Sequence, residues 1–539
     1  MDLIMLNGSF YTMDKDNPTA QAVAVKDGII QAVGSSDEIM ALKSADTEIV
    51  DLGEKTVVPG FNDSHLHLLG YASRLSMVEL NGARSIDEMI SRFQEFIKEN
   101  NVPPGTFVYG SGWNQNLFEG EKRNPTKYDL DKASSVHPIY ASRACGHVGC
   151  VNSAMLNHFG IDKNTPEVDG GEIVRDENGE PTGMFCENAM LIFRNAQVVE
   201  TSEIEGLILK ASPHLNKMGI TSVQSDDFTD RTPFNSVYDA YVNLSKAGKM
   251  TLRVNEQCRM SGLENYRRML ELKQVEDAVA PYFKLGPIKI LADGSLGART
   301  AFMKEDYHDM PGEKGIPIYD KEEFNAIVAL CHEKDRPVAI HAIGDAIMQW
   351  CMDAIKDNQA KNPKPGLRHG IIHCQITDEK LLQEFKEHNV IAYIQPIFIH
   401  ADWVVVKDRV GPEKAYTSYA FKTLKDLGVY IPLGTDCPVE GFDPFKNIYC
   451  AVTRKDLNGK PEEGYNPHEA LTVHEAVYAY TVDSAYASYE EGVKGMIRVG
   501  MYADMAVLTK NIFEIKHEEI LETEVDMTVF DGKIIYKRQ

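Results

Sequence analysis

Six side chains with the chemistry to hold a cation stand within or at the end of short apolar runs: His65, His67, Lys289, His341, His373 and Asp436. In an extended segment residues i and i+2 project to one side, so the imidazoles of His65-Leu66-His67 can reach a single ion. His341 ends PVAIH and His373 ends GIIH. Neutral imidazole is the commonest protein ligand for zinc-like ions. Asp436 closes VYIPLGTD, where Gly434 lets the chain turn. Its carboxylate could bind metal and take a proton from bound water, or it could cap the next helix. Lys289 lies between Ile288 and Ile290, where an unpartnered ammonium is costly to desolvate. Either a carboxylate such as Asp293 pairs with it, or burial frees its amine to react with CO₂. The resulting carbamate is anionic and can bridge two cations.

Groups so far apart in sequence meet only if a repeating scaffold brings them to one place. Eight apolar runs, several followed by a helical pattern, read as parallel βα units: 56–62, 219–225, 252–258, 285–291, 336–341, 369–375, 389–396 and 429–436. Eight such units predict an α/β fold of the TIM-barrel type, (β/α)₈, whose strand C-termini converge on one mouth. The first and second runs are too far apart for one unit. That gap predicts a large insertion after the first barrel strand, with strands of its own in TFVYGSG and HPIYASR. Both termini carry β-rich alternation with Asn7-Gly8, Asp27-Gly28 and Asp531-Gly532 as hairpin turns. The expected organisation is a small β-sandwich from 1–55 and 490–539, a barrel over 56–489, and an inserted cap subdomain over 75–205.

Composition narrows the partners. A formal charge of -24 repels phosphate backbones and anionic headgroups, so nucleic acid and membrane are not expected as partners. No export signal or long apolar run is evident, which predicts a cytoplasmic protein acting on a small molecule. Nine cysteines never fall as Cys-x-x-Cys and are expected to be reduced and mostly buried. Cys437, beside Asp436, has no paired base in view and reads as packing.

The motifs VVPGFNDSHLH, GITSV, KILADGSLGART, AIHAIGD, IIHCQ, GTDCPV and YADMAVL resemble the amidohydrolase superfamily. Within it they are similar to the YtcJ-like group that includes N-substituted formamide deformylases, and the similarity covers essentially the whole chain. The resemblance implies that His65 and His67 bind a buried metal, that Lys289 is the carboxylated bridge, and that His341 and His373 hold a second metal. Asp436 is then both ligand and general base. Two cations, zinc first with manganese, iron or cobalt admissible, hold a bridging hydroxide that attacks an amide-type carbonyl. Arg143 and His147 in SRACGHVGC, with Asp293 and Arg299 in DGSLGART, are implied as substrate contacts, and a homodimer is the default assembly. The runner-up is a mononuclear hydrolytic deaminase, which usually carries a Glu three residues beyond the fifth-strand His; Gly344 stands there. A non-catalytic barrel is the remaining alternative, and the retention of all six groups argues against it.

Overall fold

The computed structural model describes residues 1–194, 199–229, 232–272 and 282–539. Contacts divide them into two compact units: 1–69 with 204–229 and 234–539, and 70–203 with 230–233.

Seven parallel strands form the central sheet of the first unit. In order around the sheet they are Phe61–Leu66, Ile220–Ser225, Arg253–Arg259, Phe283–Leu291, Val338–Ala342, Gly370–His373 and Ile391–Tyr393. Strands fully buried on both faces read as continuous apolar runs, which is why each was visible in sequence. The eighth expected run does not form a strand. It carries one isolated parallel bridge, Ile394 to Leu433, because Pro432 has no N–H to give a ladder. Hydrogen bonds still tie it on both sides. Ile394 N donates to Pro432 O at 3.0 Å and Gly434 N to Ile394 O at 3.0 Å, while Ser64 N donates to Leu433 O at 3.0 Å. The barrel is nearly closed.

The first run also divides. Thr56–Pro59 pairs with Ser9–Tyr11 and with Met505–Leu508 in a six-stranded sheet of terminal segments, and the first barrel strand begins only at Phe61. A four-stranded sheet (Leu3–Leu6, Ala22–Lys26, Ile29–Gly34, Glu48–Asp51) faces the same apolar core. In that core Met5, Phe10 and Val25 pack with Val57, Met505 and Val529. Arg253, on a barrel strand, is fixed to this region by Asp504 (2.6 Å from Nε) and Asp531 (3.2 Å from Nη2).

The second unit is built on a six-stranded mixed sheet running Gly171–Arg175, Pro181–Glu187, Val148–Val151, Ile139–Arg143, Val108–Trp113, Val78–Glu79. Helix Ile86–Glu99, capped by Ser85 on Glu88 N, buries Met89, Ile90 and Phe93, and Met89 and Phe93 belong to a core that includes Trp113. None of the nine cysteines is in a disulfide, and Cys145 alone is exposed. Among the described residues no helix is long and apolar enough to cross a membrane.

Away from the barrel mouth, one buried pair predicts an acid response. Val338 N donates to His369 Nδ1, so His369 Nε2 carries the proton and donates to His332 Nδ1 at 3.0 Å. Burial pushes His369 down from 6.5 to about 3. Above pH 6.5 the residue is neutral folded or unfolded; below it only the unfolded chain takes up the proton. Its contribution therefore falls by up to about 1.4 kcal/mol per pH unit between those values. Urea unfolding across that range should show a shallower pH slope for His369→Gln than for the parent; equal slopes would show that His369 does not titrate in this way.

Candidate metal centre

The strand ends bring all six groups together. Lys289 Nζ lies 3.0 Å from His65 Nε2, and His373 Nε2 lies 2.8 Å from His341 Nδ1. Asp436 Oδ1 is 3.1 Å from His67 Nε2 and 3.4 Å from His65 Nε2. The His65 ring sits 5.3 Å from that of His67 and 5.8 Å from that of His373, centroid to centroid. One atom each of His65, His67 and Asp436 falls within 4.8 Å of the others, a spacing that can hold a metal ion.

The outer nitrogens of the rings determine what the inner ones can do. His65 Nδ1 faces Gln257 Oε1 at 2.6 Å, and Gln257 Nε2 donates to Ser64 O, which fixes the amide. His373 Nδ1 faces Gln395 Oε1 at 2.9 Å, with Gln395 Nε2 turned to Tyr393 O. His67 Nδ1 meets Asp226 O at 2.8 Å, and His341 Nε2 meets Gly294 O at 3.1 Å. Every one of these partners is an acceptor, so each outer nitrogen carries a proton and, in the neutral ring, each inner nitrogen presents a lone pair. Four lone pairs and a carboxylate then face one small volume. Two bare nitrogens 2.8 Å apart repel unless a proton or cation lies between them, and this donor set fits divalent metal.

For three of the four rings the charge states agree. Burial holds His65 and His341 well below the ordinary imidazole value and His373 down to about 4, keeping all three neutral. His67 goes the other way. Burial would lower it, but the hydrogen bond to Asp436 and the charge of Asp226 outweigh that. Burial would raise Asp436, yet the His67 hydrogen bond and the surrounding imidazoles hold it well below the carboxylate range. Burial pushes Lys289 down to about 8.

The local backbone shows what this arrangement costs. His373 and Asp436 both sit at positive φ, 83° and 57°, a region that costs a non-glycine residue about 1–3 kcal/mol. Asp436 is held there by its N–H to His65 O at 2.7 Å, and Thr435 is clamped to Asp63 through N–H and hydroxyl. The chain turns at Asp436 rather than at Gly434. Gly434 is needed for a different reason, since a Cβ there would lie 2.6 Å from His65 N.

The remaining expected residues have varied surroundings. Asp293 is fully buried and accepts amide N–H groups from Phe302, Ile343 and Gly344. Its oxygens brace the loops after two strands, and among the described residues no ion pair joins it to Lys289. Arg299 makes a two-point contact with Asp309 at 3.1 and 2.8 Å. Arg143 and His147 belong to the second unit, where Arg143 Nε donates to Gln115 Oε1 and His147 Nδ1 lies 2.9 Å from Glu187. Asp226, Gln257 and Gln395 escaped sequence reasoning. Each is a polar residue in or just after an apolar strand, the same signal that marked the six.

Comparison with known proteins agrees with this geometry. A model of the amidohydrolase family matches residues 48–536. The chain is 34% identical to the putative amidohydrolase YtcJ of Bacillus subtilis over the full length of both. It is 28% identical to an N-substituted formamide deformylase of Arthrobacter pascens, covering 100% of this chain and 98% of that one. A metal-dependent hydrolase of Pyrococcus horikoshii superposes with a TM-score of 0.78 at 28% identity, covering 96% of this chain and 99% of that structure. The chain belongs to the amidohydrolase family of metal-dependent hydrolases.

Proposed function

We propose that the enzyme cleaves a C–N bond of amide type, in an N-acyl or N-formyl amine or a cyclic amide, with two divalent cations held by His65, His67, Lys289, His341, His373 and Asp436. The observation that carries this reading is the set of four inward lone pairs beside an ionised carboxylate and a buried amine. Divalent cations at such a site lower the pKa of water and polarise a carbonyl, and zinc suits these ligands first. The protein's own groups do the rest. The Gln257, Gln395, Asp226 and Gly294 acceptors fix each ring so that its inner nitrogen stays a ligand. Asp436 accepts a proton at its carboxylate and hands it to the nitrogen that leaves as the C–N bond breaks. Lys289, a buried amine whose pKa burial lowers to about 8, would add CO₂ to give a carbamate with release of one proton, and the carbamate would supply an anionic ligand to the cations. The deformylase among the relatives makes N-formyl amines the first substrates to try.

The deaminase alternative loses support at Gly344. A Cβ there would meet Phe302 O at 2.0 Å, so a glutamate has no room. The same proposal assigns 1–55 and 490–539 to a β-sandwich, 56–489 to the catalytic barrel and 75–205 to an inserted subdomain.

Stripping the enzyme with a chelator is expected to abolish hydrolysis of N-formyl and N-acyl amines, and returning zinc or manganese to restore it. Undiminished turnover by the stripped protein would remove the proposed mechanism.

A further inference from the structure

A cavity of about 210 Å³ is lined by residues that neighbour the candidate metal centre in the chain. Ile343 follows His341 by two residues, Gln375 follows His373 by two, and Glu440 follows Asp436 by four. The Phe398 ring stacks on His373 at 5.7 Å between centroids. Leu296, Ile343 and Phe398 make the apolar side of this cavity, and Gln375, Asp402 and Glu440 supply its polar groups. Its volume is somewhat larger than the roughly 150 Å³ that a benzene ring occupies in an apolar protein cavity.

Apart from the exposed Ser295 hydroxyl, the polar groups present acceptors. Gln375, 2% exposed, gives its Nε2 to Asp402 Oδ2, the only assignment a carboxylate allows, and its Oε1 is buried without a hydrogen-bond partner. Tyr419 donates to the same Oδ2 at 2.6 Å, and Asp402 Oδ1 receives neither of these bonds. Burial raises both Asp402 and Glu440. At Asp402 the Tyr419 hydroxyl opposes the rise, and at Glu440 the field of His400 does. Among the described residues neither carboxylate has an ion-pair partner. The Gln375 oxygen is costly to leave buried without a donor, and two carboxylates with no cation beside them favour one. A primary ammonium has three N–H donors and no acceptor, which complements an amide oxygen and two carboxylates.

We infer that this cavity selects the substrate, taking a compact apolar arm that ends in a primary ammonium, so that the preferred amides are mono-acylated diamines or close relatives. The inference rests on the amide-hydrolase reading of the adjoining centre.

The test uses the metal-loaded enzyme with mono-N-formyl and mono-N-acetyl α,ω-diaminoalkanes of graded chain length. Each is set against isosteres ending in methyl or carboxylate. At the best length the ammonium-ended compound should exceed its methyl isostere in kcat/KM by about tenfold or more, mainly through KM, with the carboxylate weakest. In a D402N/E440Q enzyme that ratio should fall toward one, a readout internal to each protein and independent of how much of it folds. Hydrolysis of methyl-ended compounds as well as or better than ammonium-ended ones at every length would overturn the inference while leaving amide hydrolysis standing. Failure of every member, neutral ones included, would overturn the amide-hydrolase reading and the inference with it.

Discussion

Replacing Asp436 with asparagine is expected to lower kcat about 10²–10⁴-fold, the range that a positioned acid–base group supplies. The side chain keeps its shape and one oxygen near His67 Nε2, so bound metal should be largely retained while the proton acceptor is gone. The backbone cannot compensate by shifting. Asp436 N is bonded to His65 O, and its neighbour Thr435 is clamped to a buried Asp63 that also accepts from His65 N and Tyr480 OH. Steady-state kinetics paired with metal analysis provide the check. Less than a tenfold loss of kcat with metal in place would assign proton transfer to another group.

On the proposed two-metal reading, truncating Lys289 to alanine should have an effect on the order of 10²-fold or more, because an anionic ligand would be removed from the metal centre and not merely from its surroundings. The residue is 2% exposed and its amine contacts His65, so the truncation leaves a space of defined chemistry. If the native side chain is a carbamate, small carboxylic acids such as acetate should restore activity in the variant by supplying the missing anion. If it acts as an amine, alkylamines should do so instead and acetate should not. Activity measured against concentration of each additive separates the two.

Much of the candidate centre was legible because its residues are polar groups that end or interrupt apolar runs. His65, His341, His373 and Asp436 announced themselves in this way, and Lys289 did so from inside its strand. What the sequence concealed depends on pairing across the fold. The run 56–62 reads as a single strand, and only the partners of Thr56–Pro59 and Phe61–Leu66 show that the chain changes sheets at Gly60. Val429–Asp436 has a strand's composition, but Pro432 leaves it a single bridge. Gln257 and Gln395 looked like interruptions of apolar runs, since their meaning lies in the rings they hold from strands distant in sequence. Asp293 braces three amides, a contact that only the loop conformation determines.

Anomalous X-ray scattering from crystals of the zinc-loaded enzyme, collected on either side of the zinc edge, tests the binuclear centre most directly. Two peaks are expected, one within bonding distance of His65 and His67 and one of His341 and His373, with Asp436 and the Lys289 side chain in reach. No peak at these residues, or a single one with Lys289 Nζ unmodified and remote from it, would contradict a two-metal hydrolase.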